Sequence, residues 1–153
     1  MKNYYGLVAS MPDVSPDDAK LNFTVADFKE DYWPQLSETD KKLVALFFLR
    51  YDHRNLLAWL AEGDGAAFDE RAMFPREAWP EAMGKAGDEQ GRVLPAYFYE
   101  FMAEYASLKE VQERLPEDVL LAAYYRYAGT FKNRFTADWF AFNRNVNNIL
   151  IAL

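Results

Sequence analysis

A chain of 153 residues that is 51% hydrophobic and 17% aromatic is long enough to bury one sizeable core, so a single domain over 1–153 is expected. A net charge of −7, from 24 acidic and 17 basic residues with no basic cluster to follow a phosphate backbone, argues against nucleic-acid binding. The absence of cysteine rules out disulfides and thiolate metal sites.

The longest apolar runs, such as Leu43–Leu49, fall far short of the ~20 residues a membrane span requires. Tyr, Gly and Pro break the N-terminal MKNYYGLVASMP before a signal-peptide core forms. A soluble, cytoplasmic protein is expected.

Taken in order, Tyr4 to Ser10 reads as extended or as one helical turn, ending at Met11-Pro12. Thr24 caps a helix from Val25 to about Trp33, whose buried stripe is Val25, Phe28 and Tyr32 and whose extent Pro34 limits. Ser37, with Asp40 three residues on, approximates a capping box and starts a long helix near Glu38. Nothing interrupts that helix before Gly63, a suitable C-terminal stop. Leu46, Leu49, His53, Leu56, Leu57 and Leu60 share one of its faces, and Val44, Phe48, Tyr51, Asn55 and Trp59 cluster on the opposite one. A helix apolar on two faces has neighbours on both, which makes this one the hub of the fold.

From Glu62 to Arg92 the texture changes, with five of the seven glycines and Pro75 and Pro80 among them. A mobile loop is expected, holding one or two short helical turns around Pro75 to Met83 and packed down by Phe68, Phe74 and Trp79. Leu94-Pro95 then opens a helix through about Glu113, with Tyr97 or Phe98, Phe101, Tyr105 and Leu108 on its buried side. Pro116 starts the next, which carries Val119, Leu120, Ala123, Tyr124 and Tyr127 and breaks near Gly129. Phe131, Phe135, Trp139, Phe142, Val146, Leu150 and Leu153 form one further helical stripe, with a possible restart at Thr136, and spacing of this kind predicts core. No run alternates with period two. The fold class is all-α, a helical bundle of about five to six helices.

The chain echoes itself. DHRNLLAWL (Asp52–Leu60) aligns with NVNNILIAL (Asn145–Leu153), placing Asn55 on Asn148, Leu56 on Ile149 and His53 on Val146. The apolar pattern runs to the last residue without a cap, which predicts that the natural chain continues.

Little in the sequence assembles into chemistry. His53 is the only histidine, so a His-based metal site is out and a Ser–His–acid triad would need it. Its place among Leu49, Leu56 and Leu57 predicts a core histidine hydrogen-bonded to a neighbour. Asp52 and Asp64 are near it in sequence, but nothing sets either against a nucleophile. Asn55 and Asn148 are read either as partner contacts or as amides bridging to a neighbouring helix's backbone, with the second favoured. The acidic runs Asp13–Asp18 and Glu110–Asp118 read as solvated turns and helix starts, and Asp88-Glu89-Gln90 as a weak candidate for a basic partner. The GDG at Gly63–Gly65 lacks the lysine and Ser/Thr of a phosphate loop. No catalytic residue, cofactor site or metal site is expected, and the chain is read as a non-enzyme.

The N-terminal YYGLVASMP, the D-x-x-N-L-L element in the long helix and the late W-F-x-F-N-x-x-x-N-N-I-L helix resemble a bacterial family of uncharacterised proteins encoded beside V-type ATPase subunits. More distantly, the repeated D-x-x-N-L element is similar to the funnel-shaped stalk-socket component of archaeal-type and vacuolar rotary ATPases. That component is non-catalytic and all-helical, sits on the membrane rotor ring and holds the foot of the central stalk. The resemblance covers both ends of the chain and leaves Glu62–Arg92 unmatched, and this chain is less than half the length of the funnel protein. It implies a structural or coupling role, with the rotor ring and central stalk as partners and contact with the cytoplasmic membrane only through them. Position by position it carries over to Asp52, Asn55 and Leu56, and to Asn148 and Ile149, while Asn145 departs from the aspartate of the first copy. A free-standing module binding a small ligand beneath Gly63–Gly91 is the alternative, and it predicts a closed cavity with convergent polar groups.

Overall fold

A computed structural model describes residues 3–17, 19–85, 91–110 and 115–152. Seven α-helices account for most of them, and no strand occurs among the described residues. The helices are α1 (Tyr5–Ala9), α2 (Val25–Asp27), α3 (Glu38–Glu62), α4 (Ala78–Gly84), α5 (Ala96–Glu110), α6 (Pro116–Ala128) and α7 (Arg134–Ala152). The expected all-α class holds. No helix among the described residues is long and apolar enough to cross a membrane. By contacts the chain divides into two compact units, Met1–Ala45 and Leu46–Leu153.

In the first unit, the backbone at α2 begins as the sequence predicts. The Thr24 hydroxyl accepts the Asp27 N–H at 3.2 Å while the Asp27 carboxylate takes the Thr24 N–H at 2.7 Å, a complete capping box. The Thr24 hydroxyl also donates to that carboxylate at 2.7 Å, and this bond, with the one from the Thr24 N–H, holds the Asp27 carboxyl below the usual carboxylate range. The helix does not run regularly to Trp33, however. It widens to a π-turn over Phe28–Tyr32, with the Trp33 N–H reaching Phe28, and tightens to a 3₁₀ turn over Trp33–Gln35. Pro34 accounts for the change. Having no N–H, it breaks the α ladder, and it fits the first turn of a short 3₁₀ piece, where no donor is needed.

The start of α3 is more elaborate than a capping box. Ser37 Oγ accepts the Asp40 N–H at 3.2 Å and donates to the Asp40 carboxylate at 2.6 Å. The Tyr4 hydroxyl donates to that same carboxylate at 2.6 Å and accepts the Ser37 N–H at 2.8 Å. An N-terminal tyrosine thus takes the donor that the third helical residue serves in an ordinary box. Tyr32 is nearly buried, crosses the Phe23 ring edge-on at 5.5 Å and donates to the Ser10 carbonyl at 2.8 Å.

The second unit has one core. Leu46, Leu49 and Leu56 of α3 meet Trp79 of α4, Phe98, Phe101 and Met102 of α5, Leu120 and Tyr124 of α6 and Phe140 of α7. α5 packs on α6, α6 on α7 and α4 on α5. The Tyr124 hydroxyl donates to the Leu46 carbonyl at 2.8 Å and so ties α6 to the hub helix. On α5, Tyr97 and Phe98 are both buried rather than one or the other, and Tyr99 with them. Three consecutive buried aromatics require cover on several sides, and Tyr99 finds its own by accepting the Val93 N–H at 3.0 Å.

Residues 62–85 pack down as their aromatics predict. Trp79 is fully buried, and Ala66 and Ala72 are buried with it. Gly63 ends α3 at φ +75°, a left-handed conformation suited to glycine. The Arg76 guanidinium donates to the Asp64 and Ala66 carbonyls at 2.8 and 2.7 Å. Asp18, the Asp88-Glu89-Gln90 stretch, the end of the helix expected to reach Glu113 and Leu153 lie outside the described residues.

The last helix departs most from expectation. It starts at Arg134, not Phe131 or Thr136, because Asn133 caps it: Asn133 Oδ1 accepts the Thr136 N–H at 3.0 Å and its hydroxyl at 3.1 Å. The face turned to the core carries Thr136 and Phe140, both buried. The stripe expected to be core is instead open to solvent: Phe135, Trp139, Phe142, Val146 and Leu150 are all exposed. Helical spacing identifies a coherent apolar face but not what covers it, and α7 carries two such faces about a quarter-turn apart or slightly more.

Candidate functional site

The D-x-x-N element of α3 places Asp52 and Asn55 nearly one turn apart, on the side of the helix that meets the segment after Gly65. Asp52 is fully buried, and its two carboxylate oxygens accept the Met73 and Phe74 N–H groups at 2.9 and 3.0 Å. Asn55, 3% exposed, pairs reciprocally with Asp69. Its Oδ1 accepts the Asp69 N–H at 2.7 Å and its Nδ2 donates to the Asp69 carbonyl at 3.0 Å. Four backbone groups of a segment without regular structure are satisfied this way by two side chains on a rigid helix. Leu56, with no exposed surface, lies in the core beside them. The amide bridge expected of Asn55 is present, and its receiver is the folded-down loop rather than another helix.

The Asp69 carboxylate turns outward to Arg71. It accepts that residue's N–H at 3.0 Å, its Nε at 2.9 Å and its Nη2 at 2.7 Å. The hydrogen bonds from the Arg71 guanidinium hold the Asp69 carboxyl below its ordinary range. The same guanidinium lies over the Tyr51 ring, 4.3 Å from its centre. Next to this cluster is an open groove of about 540 Å³ lined by Arg54, Ala58, Ala67, Phe68 and Glu70. The amide of Asn55 and the carboxylate of Asp69 face it with their hydrogen bonds already made inside the protein.

His53 is the buried histidine the sequence predicts. Its Nε2 lies 2.9 Å from the Tyr97 hydroxyl, and its ring meets those of Tyr97, Phe98 and Tyr124 edge-on at 5.7, 5.6 and 5.1 Å. Burial, aided by the nearby Arg50 charge, pushes its pKa down to about 3, so the ring is neutral near pH 7. Burial likewise raises the Tyr97 hydroxyl well above its usual value and raises that of Tyr124. Asp64 takes the indole N–H of Trp59 at 3.0 Å. The partners that occupy Asp52, Asn55 and His53 come from 14 to 44 residues away, and no local spacing marked them.

The second copy of the element lies in a different environment. Asn148 is exposed on the rim of a pocket of about 280 Å³ between α6 and α7, with Asp118, Tyr125, Arg126, Arg144 and Asn147. Ile149, matched to the fully buried Leu56, is 61% exposed. The amide that reaches a neighbouring helix is Asn147, one residue earlier, whose Nδ2 donates to the Tyr125 hydroxyl at 2.5 Å. Asp52, Asn55 and Leu56 therefore form one site, and Asn148 and Ile149 do not reproduce it. The exposed Glu117 and Asp118 begin α6 as a solvated acidic first turn.

No curated protein and no solved structure matches the chain. Over residues 1–153 it matches the family described as protein of unknown function (DUF2764), and it belongs to that family.

Proposed function

We propose that this protein is a non-catalytic structural component that works through protein contacts, and that its assembly is a V/A-type rotary ATPase, where it links the membrane rotor and central stalk. The observation that carries the structural part is the engagement of the Asp52–Asn55 pair. The most distinctive polar residues of the chain are buried and hold the backbone at 69–74 onto α3. Such an element makes a stiff helical body, which is what transmitting a mechanical load requires. The exposed apolar face of α7 supports action through docking. The choice of assembly rests on the likeness of the D-x-x-N-L element to the funnel-shaped component of that complex, and of the YYGLVASMP start to a family encoded beside its subunits. On this reading the chain is cytoplasmic and meets the membrane only through its partners. Its net charge of −7 favours basic surfaces on a stalk protein.

Affinity purification of the natural protein from gently solubilised membranes, with mass spectrometry of what accompanies it, tests this reading. Rotor-ring and stalk subunits that are lost as salt rises are the expected result. Recovery of the protein without any ATPase subunit overturns the assignment to that assembly.

A further inference from the structure

Of the thirteen exposed large hydrophobic side chains among the described residues, six lie together on one face of α7. Phe135 (64% exposed), Trp139 (46%), Phe142 (66%), Val146 (37%), Ile149 (61%) and Leu150 (64%) form one strip along it. From Phe135 to Ile149 the intervals alternate four, three, four, three. That 3.5-residue period is the one at which two helices keep a common seam. The strip is also held firmly at its aromatic end, where Phe47 of α3 packs against Phe135, Trp139 and Phe140 at 6.4, 6.0 and 5.5 Å.

We propose that this face binds the same face of a second copy of the chain, the two α7 helices running antiparallel about a two-fold axis that passes between Phe142 and Val146. Three observations select this occupant. The first is area: the strip exposes roughly 600–700 Å² of side chain per copy, close to the ~800 Å² each partner gives to a standard interface. The second is shape. The strip is aromatic in its first half and aliphatic in its second, so antiparallel pairing sets Trp139 against Ile149 of the second copy and Phe142 against its Val146. Large meets small at both of these pairs, whereas a parallel pair would stack the bulkiest rings on each other.

The third is charge. The positions flanking the strip are Asp138, Asn143 and Asn145, and Asp138 already faces Arg134 at 3.8 Å. A self-paired seam therefore brings no like charges together, although the chain as a whole is acidic. The proposal shares with the functional reading above only the premise that α7 is a protein-binding face. It holds or fails whether or not the larger assembly is an ATPase.

Sedimentation velocity of the full chain over about a hundred-fold range of concentration tests it. A reversible dimer of twice 17.8 kDa is expected. Phe142→Asp is expected to raise the dissociation constant by at least about 30-fold, as for a central anchor residue. Its helical circular dichroism should be unchanged, because Phe142 is not part of the core. A wild-type chain that stays monomeric overturns the proposal and gives the face to another occupant, such as a different protein or a continuation of the chain. A dimer that survives both Phe142→Asp and Ile149→Asp overturns it as well, since another surface would then be holding it.

The absence of cysteine allows single nitroxide labels to report the direction. A label at Asn145→Cys, beside the axis, should show strong dipolar broadening. One at Asp138→Cys, with its mate offset by roughly 18 Å along the helix, should show much less. Equal broadening at both sites means a parallel pair and overturns the antiparallel register. Dimerisation of the pure chain and recovery of ATPase subunits are separate readouts, so failure of one is distinguishable from failure of the other.

Discussion

The two similar stretches around Asp52–Leu56 and Asn145–Ile149 end up on opposite terms with the solvent. In the first, an aspartate, an asparagine and a leucine are all buried, and the two polar side chains satisfy four backbone groups of a neighbouring segment. In the second, the matched asparagine lies on a pocket rim and the matched isoleucine is exposed. Both are amphipathic helix, and both put the polar group one position before an aliphatic one. They differ in what the rest of the chain brings to them. A loop of alanines and aromatics folds onto α3, whereas α7 meets α6 through Phe140 and Asn147, and the matched Asn148 and Ile149 stay exposed. A motif in a helix acquires its meaning from the element laid over it.

The comparison breaks most readily at Asp52. Asp52→Ala leaves the Met73 and Phe74 N–H groups buried without an acceptor and should cost about 4 kcal/mol in urea unfolding. Asn145→Ala, its echo, should stay within about 0.5 kcal/mol of wild type. Equal losses at the two positions would show that the second copy is built into the fold after all. Leu56→Ala should cost about 3 kcal/mol through the cavity it leaves, against a near-neutral Ile149→Ala in the monomer. Asn55→Ala should cost about 2 kcal/mol and increase hydrogen exchange at the Asp69 amide, while Asn148→Ala should affect neither.

The smallest effect sharpens the contrast at the inner site through pH. The unfolded chain protonates its one histidine below about pH 6.5, whereas native His53 stays neutral down to about pH 3. The unfolded state therefore binds the extra proton in that window, and stability should fall as pH drops below 6.5. The slope from this group is at most about 1.4 kcal/mol per pH unit. Unfolding titrations between pH 6.5 and 5, before most carboxylates protonate, measure it. His53→Phe should flatten the profile, and an unchanged slope would locate the titration elsewhere.

Much of the fold is legible in the sequence for physical reasons. Caps, proline and glycine act over three or four residues, so the bounds of α3, the cap at Thr24 and the start of α6 at Pro116 follow from neighbours in sequence. His53 is legible as a core residue because its flanking leucines share its face. The π-turn at Phe28–Tyr32 is not, since Pro34 reads locally as a terminator and not as a residue that changes the pitch around it. The Asn133 cap escapes sequence reasoning because the aromatic stripe begins before it and draws the predicted helix back to Phe131.

By itself the sequence determined the periodicities: which residues are helical, where most helices start and stop, and which side chains share a face. Those depend on interactions within a turn or two of backbone. The tertiary structure alone decided which face is covered. It placed the loop over Asp52 and Asn55, set Tyr97 against His53, and turned Phe140 rather than Phe142 to the core. Burial is a property of pairs of elements far apart in the chain, and a helix with two apolar faces carries no local mark of which one its neighbours will take.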